Sequence, residues 1–392
     1  MSVSHADRAH AILSASGSKR WLTCTPSAQL EQEFPEQTSE FAKEGTAAHE
    51  LSELYLMKYT EQINKTTFTR RYNKFKKENE FYSQEMDDYV QSYVDLVIER
   101  INAAVALSQD AVILLEQRLD FSEWVPHGFG TGDVVLIADG ILEVIDLKYG
   151  KGVPVSAVEN TQMRLYALGA INQFNMLYDI ETVQMTIVQP RLDSVSTDEI
   201  EADKLLAWAD EEVKPKADMA MAGAGEYIAG EHCRFCRARF TCRARADENM
   251  KLAKYDFKEP PLLSRGEIAQ ILLEAEELQR WAKDIQSYAL EQAENHGVKF
   301  DGWKLVEGRS NRKYTDEEEV ASTLITSGYK EDDIYKKSLL GISAMEKALG
   351  KKKFGELLQE LVIKPAGKPT LVPDSDKRPE INSTDSAIED FG

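Results

Sequence analysis

The sequence predicts an α/β (α+β) fold, in which a mixed sheet is flanked by helices and continued by a helical C-terminal extension. Three observations carry that expectation. The segment before Ala111 repeats apolar residues at steps of three and four, the period of an amphipathic helix. Three short runs rich in Val, Ile and Leu then follow, the last two separated by Asp139-Gly140. A helical stretch and a fourth apolar run come next, giving the order strand, hairpin, helix and strand.

Taken in chain order, Thr46 is placed to cap a helix through AAHELSELYLMKY, with Ala48, Leu51 and Tyr55 on one face. A second helix fits EMDDYVQSYVDLVIERINAAVAL. Between them Lys65, Arg70, Arg71, Lys74, Lys76 and Lys77 form the most basic stretch of this half. AVILLEQRLDF, GTGDVVLIA and ILEVIDLKY read as strands, and Asp139-Gly140 is the residue pair preferred in a two-residue type I′ hairpin. A helix fits SAVENTQMRLYALGAIN and a fourth strand fits ETVQMTIVQP, while residues 199–222 read as helix again. Beyond the adjacent Pro260 and Pro261, a long amphipathic pattern runs from Glu267 to Asn295 with Ile268, Ile271, Leu272, Leu278 and Ile285 on one face. DGWKLVEGRSNRKY suggests a small hairpin, two short helices follow, and the Pro, Asp and Ser content from Lys364 predicts a disordered tail. The expected domains are therefore 1–250, a helical accessory domain 251–363 and an acidic tail 364–392.

The 392 residues, 42% hydrophobic, suffice for two or three domains with ordinary cores, which excludes a fibrous or wholly disordered chain. No apolar run reaches the ~18 residues that a membrane span requires. The start, MSVSHADRAH, lacks a basic segment followed by an apolar stretch, so a cytoplasmic protein is expected. With 47 basic against 67 acidic side chains the formal charge is −20, and bulk charge would repel nucleic acid. Any DNA binding must then be local.

Four cysteines are too few for a disulfide scaffold. Three stand close together as Cys233-x2-Cys236-x5-Cys242, and the fourth, Cys24, lies far upstream in KRWLTCTPS. Four thiols, three of them in one loop, meet the count needed for a tetrahedral thiolate site, either zinc or iron–sulfur. Arg234, Arg237, Arg239, Arg243 and Arg245 surround the loop cysteines, where they can offset cluster charge or reach a phosphate backbone.

The hairpin register makes the sharpest local argument. If Asp139 and Gly140 are the loop residues, Ala138 faces Ile141 and Asp133 falls opposite Asp146. Like charges facing one another in an apolar ladder are costly, and a divalent cation removes the penalty. Lys148 projects from the same face as Asp146, because strand side chains alternate. A water activated by Mg²⁺ could then attack a phosphodiester while Lys148 orients it or offsets developing charge. Glu116, inside LLEQ of the preceding strand, can lie beside them. On the residues alone, the alternative is that both aspartates face solvent and Lys148 makes an ordinary ion pair.

Gly132-Asp133 before a strand, followed by Asp146-Leu147-Lys148, resembles the PD-(D/E)XK nuclease pattern. Gln162 and Tyr166 look like the Q-x3-Y motif of its RecB-like branch, and His49 in GTAAHE resembles that branch's upstream histidine. Cys24 before the core and Cys233, Cys236 and Cys242 after it match the arrangement in RecB-like nucleases with an iron–sulfur cluster, such as the AddB nuclease domain and the CRISPR-adaptation exonucleases. The resemblance covers residues 18–245 and extends to a phage-encoded family. Gly132 stands where the motif name has proline.

The resemblance implies a restriction-endonuclease-like sheet. It also implies Mg²⁺ or Mn²⁺ held by His49, Asp133 and Asp146, with Lys148 as the catalytic lysine and Glu116 as an accessory acid. Gln162 and Tyr166, four apart on one helix face, would contact substrate or brace the site. Cys24, Cys233, Cys236 and Cys242 would hold a [4Fe–4S] cluster, with Zn²⁺ as the alternative, pinning the N-terminal segment to the end of the nuclease domain. The implied activity is a metal-dependent DNA nuclease, an exonuclease acting on DNA ends or single strands alongside phage recombination or replication proteins. The competing expectation is a non-catalytic DNA-binding or assembly subunit that retains the nuclease fold.

Overall fold

Five strands pair in the order β1-β2-β3-β4-β5 in the computed structural model, which describes residues 11–35, 39–251, 264–306, 316–328, 330–335, 339–358 and 361–362. They are β1 (Val112–Asp120), β2 (Phe129–Ala138), β3 (Ile141–Leu147), β4 (Thr182–Gln189) and β5 (Ser194–Glu201). All neighbouring pairs are antiparallel except β3 and β4, so the sheet is mixed, as the sequence predicts. Asp139 and Gly140 both take positive φ, 49° and 73°, and Ala138 faces Ile141, which is the expected tight turn.

Helices cover both faces of this sheet: α1 (Ser18–Thr23), α2 (Ser27–Leu30), α3 (Glu40–Tyr59), α4 (Lys65–Glu78), α5 (Gln84–Leu107), α6 (Thr161–Phe174), α7 (Ala202–Trp208), α8 (Lys214–Met221) and α9 (Arg243–Met250). Strand alternation sorts the apolar residues into two cores. Val134, Leu136, Ile145 and Leu147 point towards α3, α4 and α5, while Val135, Ile137, Leu142 and Val144 point towards α6 and the N-terminal helices. α6 is the crossover that lets β3 and β4 run parallel.

Two local expectations are corrected. The cap of α3 is Ser39, whose Oγ accepts from the Ala42 amide at 3.1 Å, whereas Thr46 lies inside the helix and donates to the Ala42 carbonyl at 3.1 Å. The first turns of α3 are largely exposed, so they carry no apolar repeat to announce the true start. Residues 194–201 form β5, an edge strand that overlaps the start of the helix expected over 199–222. Its sequence, SVSTDEIE, is polar on nearly every position, so neither face resembles a buried strand.

The chain divides into two compact units, Met1–Ala289 and Leu290–Gly392, and the division falls within a long helix rather than at the residue-250 boundary expected. That helix, α10 (Arg265–His296), matches the pattern predicted from Glu267 to Asn295. Among its described residues the second unit contains α11 (Glu317–Thr326), α12 (Glu331–Ile334), α13 (Ile342–Leu349) and α14 (Lys351–Leu358), four helices where two are expected. Pro260, Pro261, residues 307–314 of the expected hairpin and the expected tail 364–392 lie outside the described residues. No helix among the described residues is long and apolar enough to cross a membrane.

Candidate functional site

The β2–β3 ladder stops at Val134↔Ile145, one step short of the expected Asp133–Asp146 pair. Asp133 turns its side chain into the gap, and its Oδ2 accepts the Leu147 amide at 2.7 Å. Next door, Leu115 pairs with Val134 and Gln117 with Gly132, but Glu116 drops out of the ladder opposite Asp133 with φ at 49°. A left-handed conformation is costly for a residue with a β-carbon, roughly 1–3 kcal/mol, and persists only where its surroundings impose it. The interruption places Glu116 and Asp133 in one cleft.

His49 reaches the same place from α3, its Nδ1 lying 3.1 Å from Asp133 Oδ1. One donor atom from each of His49, Glu116 and Asp133 lies within 4.8 Å of the others, close enough to share a metal ion. Asp146 lies outside that group. Its Oδ2 is 2.8 Å from Lys148 Nζ, which also donates to Gln162 Oε1 at 3.1 Å. Gln162 Nε2 in turn donates to the Tyr166 hydroxyl at 3.1 Å, so Asp146, Lys148, Gln162 and Tyr166 form one chain of polar contacts. α6 presents its two members four residues apart, and Asn160 caps that helix by accepting from the Gln162 and Met163 amides.

All seven cleft residues expected from the sequence line one cavity of about 300 Å³: His49, Glu116, Asp133, Asp146, Lys148, Gln162 and Tyr166. Ser14, Ser16, Thr46 and Thr131 line it as well. Single hydroxyl residues carry no spacing signal, and in the sequence Thr46 reads as a helix cap. Close packing explains two glycines. A β-carbon at Gly130 would sit 2.5 Å from the Tyr166 ring, and one at Gly132 would sit 2.8 Å from Leu119.

Electrostatics divide the cleft into two pairs. Burial pushes the His49 pKa down, but Asp133, Asp146 and Glu116 outweigh it and raise the imidazole to about 9. Burial raises Asp133, yet the adjacent His49 holds its carboxyl below the ordinary value. Asp146 is pushed up by burial against the opposing pull of Lys148. At neutral pH without metal, a proton on His49 balances Asp133. A cation entering there must displace it.

The four cysteines line a second, much smaller cavity of about 20 Å³, shared with Arg20, Arg239 and Arg245. Cys24 ends α1, Cys233 lies in a short 3₁₀ turn, and Cys242 caps α9. The N-terminal segment is fastened to the loop by protein contacts: Glu31 bonds Arg20 at 2.7 Å and accepts the Arg237 amide at 2.7 Å. Burial raises Cys233 and pushes Cys236 up to about 12, so without a metal both are neutral thiols at pH 7. No three of the sulfurs lie within 4.8 Å of one another. Three of the loop arginines are occupied internally. Arg245 is buried against Glu277 and Asp284 of α10 at 2.8 and 2.7 Å, Arg239 covers Phe240 at 4.0 Å, and Arg237 donates to the Phe34 carbonyl at 3.2 Å.

The chain belongs to DUF2800, a family described as "Protein of unknown function", which it matches over residues 10–379. It is also similar to the solved structure titled "Crystal structure of SSO0001", at 13% identity over 58% of this chain and 96% of that one, with a TM-score of 0.20.

Proposed function

We propose that this member of the DUF2800 family is a metal-dependent DNA nuclease, an exonuclease that hydrolyses phosphodiester bonds at DNA ends or on single strands. The carrying observation is the cleft. His49, Glu116 and Asp133 bring their donors together beside the Asp146–Lys148 pair.

The donor set fits a hard divalent ion, since two carboxylates and one imidazole suit Mg²⁺ or Mn²⁺. His49, Glu116 and Asp133 would hold it, with Asp146 adjacent. A bound ion supplies Lewis-acid charge at the phosphoryl oxygen and makes water more acidic. Lys148, fixed between Asp146 and Gln162, offsets negative charge developing on the phosphate and orients the attacking water. Gln162 keeps Lys148 in place, and Tyr166 braces Gln162.

The cysteine cavity is read as a [4Fe–4S] site with a structural role. Four thiolates suit either a tetrahedral zinc ion or a cubane cluster with one thiolate at each corner, and the resemblance to RecB-like nucleases favours the cluster. The arginines lining the cavity suit the negative charge of such a cluster. A setting in phage DNA recombination or replication, within the host cytoplasm, follows from the resemblance to RecB-like nucleases.

Purified protein should degrade linear DNA with Mg²⁺ or Mn²⁺ and be inactive in EDTA. Asp146→Ala and Glu116→Gln should abolish cleavage while far-ultraviolet circular dichroism is retained. Wild-type rates in both variants would remove the basis of the proposal.

A further inference from the structure

In a chain of formal charge −20, α4 carries Lys65, Arg70, Arg71, Lys74, Lys76 and Lys77 against a single acid, Glu78. Its inward stripe is Phe68, Tyr72 and Phe75, at the i, i+4, i+7 spacing of one helix face, with both phenylalanines buried. The Phe68 and Tyr72 rings stack at 5.6 Å, and Tyr55 of α3 meets them at 5.3 and 5.8 Å. The hydroxyls of Tyr55, Tyr72 and Tyr82 all donate to Asp87, a buried carboxylate on α5. This clamp fixes α4 to both neighbouring helices.

The outward stripe is Arg70, Lys74 and Lys77, at the same spacing and about 200° around the helix from the inward one. All three are exposed. Lys74 lies 3.7 Å from Glu78, but both are well exposed and such a pair is weak. Like charges at i, i+3 and i, i+4 destabilise a helix, and a bound polyanion removes that cost.

The direction of the helix matters as much as its charge. Tyr55 meets Phe68 and Tyr72, and Arg71 reaches Met57 at 3.9 Å, so α4 runs antiparallel to α3. It therefore returns along α3 towards the end where Thr46 and His49 line the cleft. From Arg70 to Lys77 the helix rises about 10 Å, the span of roughly three charges on one DNA strand. No aromatic residue stands in the outward stripe, which suits contact with phosphates and not with bases.

We propose that the Arg70, Lys74 and Lys77 face of α4 is a sequence-independent track for the DNA phosphate backbone, leading the strand towards the cleft. This rests on the reading of the cleft as a nuclease site. With Arg237, Arg239 and Arg245 engaged within the protein, α4 is the better provided of the two basic regions.

The test is fluorescence anisotropy with labelled single-stranded and duplex oligonucleotides in EDTA, titrated over a range of KCl concentrations. Wild type is compared with Arg70→Ser/Lys74→Ser/Lys77→Ser and with a control of equal charge, Lys204→Ser/Lys216→Ser/Lys283→Ser. The track predicts that the α4 variant binds about 10-fold or more weakly at low salt and that its log–log salt slope flattens by about 2–3, with the control unchanged. Equal binding by the α4 variant, or an equal loss in the control, overturns the track. So does binding to anionic lipid vesicles without binding to DNA. If wild type cuts DNA with Mn²⁺ while the α4 variant binds normally, only the track fails; if wild type neither binds nor cuts DNA, the nuclease reading fails with it.

Discussion

Asp133 Oδ2 accepts the amide of Leu147 at 2.7 Å, so the carboxylate that faces His49 also closes the open end of the hairpin. One side chain thereby serves the fold and the site. Removing it leaves a backbone donor without its partner at the end of a buried strand, a loss of about 1–3 kcal/mol. Asp133→Ala should lower the thermal midpoint and abolish Mn²⁺ binding by isothermal titration calorimetry. Asp133→Asn, which keeps an acceptor, should regain most of the stability without regaining the metal. Equal stability of Asp133→Ala and wild type would show that the Leu147 contact contributes nothing.

His49 makes a pH prediction whose sign is fixed by its raised pKa of about 9. Its attraction to Asp133 contributes fully below the unfolded value of ~6.5 and is lost as pH rises through about 9. Asp133, held low, contributes above the ordinary carboxylate range and loses its part as pH falls. Metal-free protein should therefore lose thermal stability between neutral pH and pH ~9.5, and His49→Gln should flatten that loss. Because metal must displace one proton, apparent Mn²⁺ affinity should rise about tenfold per pH unit below pH ~9. A pH-independent affinity would contradict protonation of His49 in the metal-free site.

Gly130 tests the bracing chain through Tyr166. The β-carbon of Gly130→Ala would stand 2.5 Å from the ring, which must move and carry Gln162 with it. Overpacking of this kind costs roughly 1–3 kcal/mol. Gly130→Ala should lower both thermal stability and the cleavage rate, and adding Tyr166→Leu should restore stability without restoring the rate. Recovery of both would mean that Tyr166 has no part beyond packing.

The cysteine cavity has a visible readout. Protein prepared without oxygen should be brown, with broad absorption near ~400 nm, and Cys24→Ser should bleach it. Colourless protein with stoichiometric zinc would reject the cluster. Loss of colour should also loosen the N-terminal segment, measured as faster hydrogen exchange around Trp21 and Leu22.

Much of the cleft is legible in the sequence because its chemistry sits on a two-residue turn. Asp139-Gly140 sets the register, and the register places Asp146 and Lys148 on the face covered by the helix carrying Gln162 and Tyr166. The left-handed Glu116 is not legible, since nothing in LLEQ marks a break in the ladder that tertiary packing imposes. β5 escapes because an edge strand need not be apolar, and SVSTDEIE is not. Ser39 escapes because the turns that follow it are exposed, and Thr46, a more conspicuous cap, proves to line the cleft. The Asp87 clamp on α4 joins residues from three helices, and no local spacing announces it.

Under the proposed function, Lys148 acts on a phosphodiester beside a metal it does not itself hold. The most direct measurement follows Mn²⁺ binding and release of nucleotides from linear DNA in the same preparations of wild type and Lys148→Gln. Mn²⁺ binding should stay close to that of wild type while cleavage falls about 100-fold or more. Cleavage at the wild-type rate by a folded, Mn²⁺-loaded Lys148→Gln variant would contradict that role for Lys148.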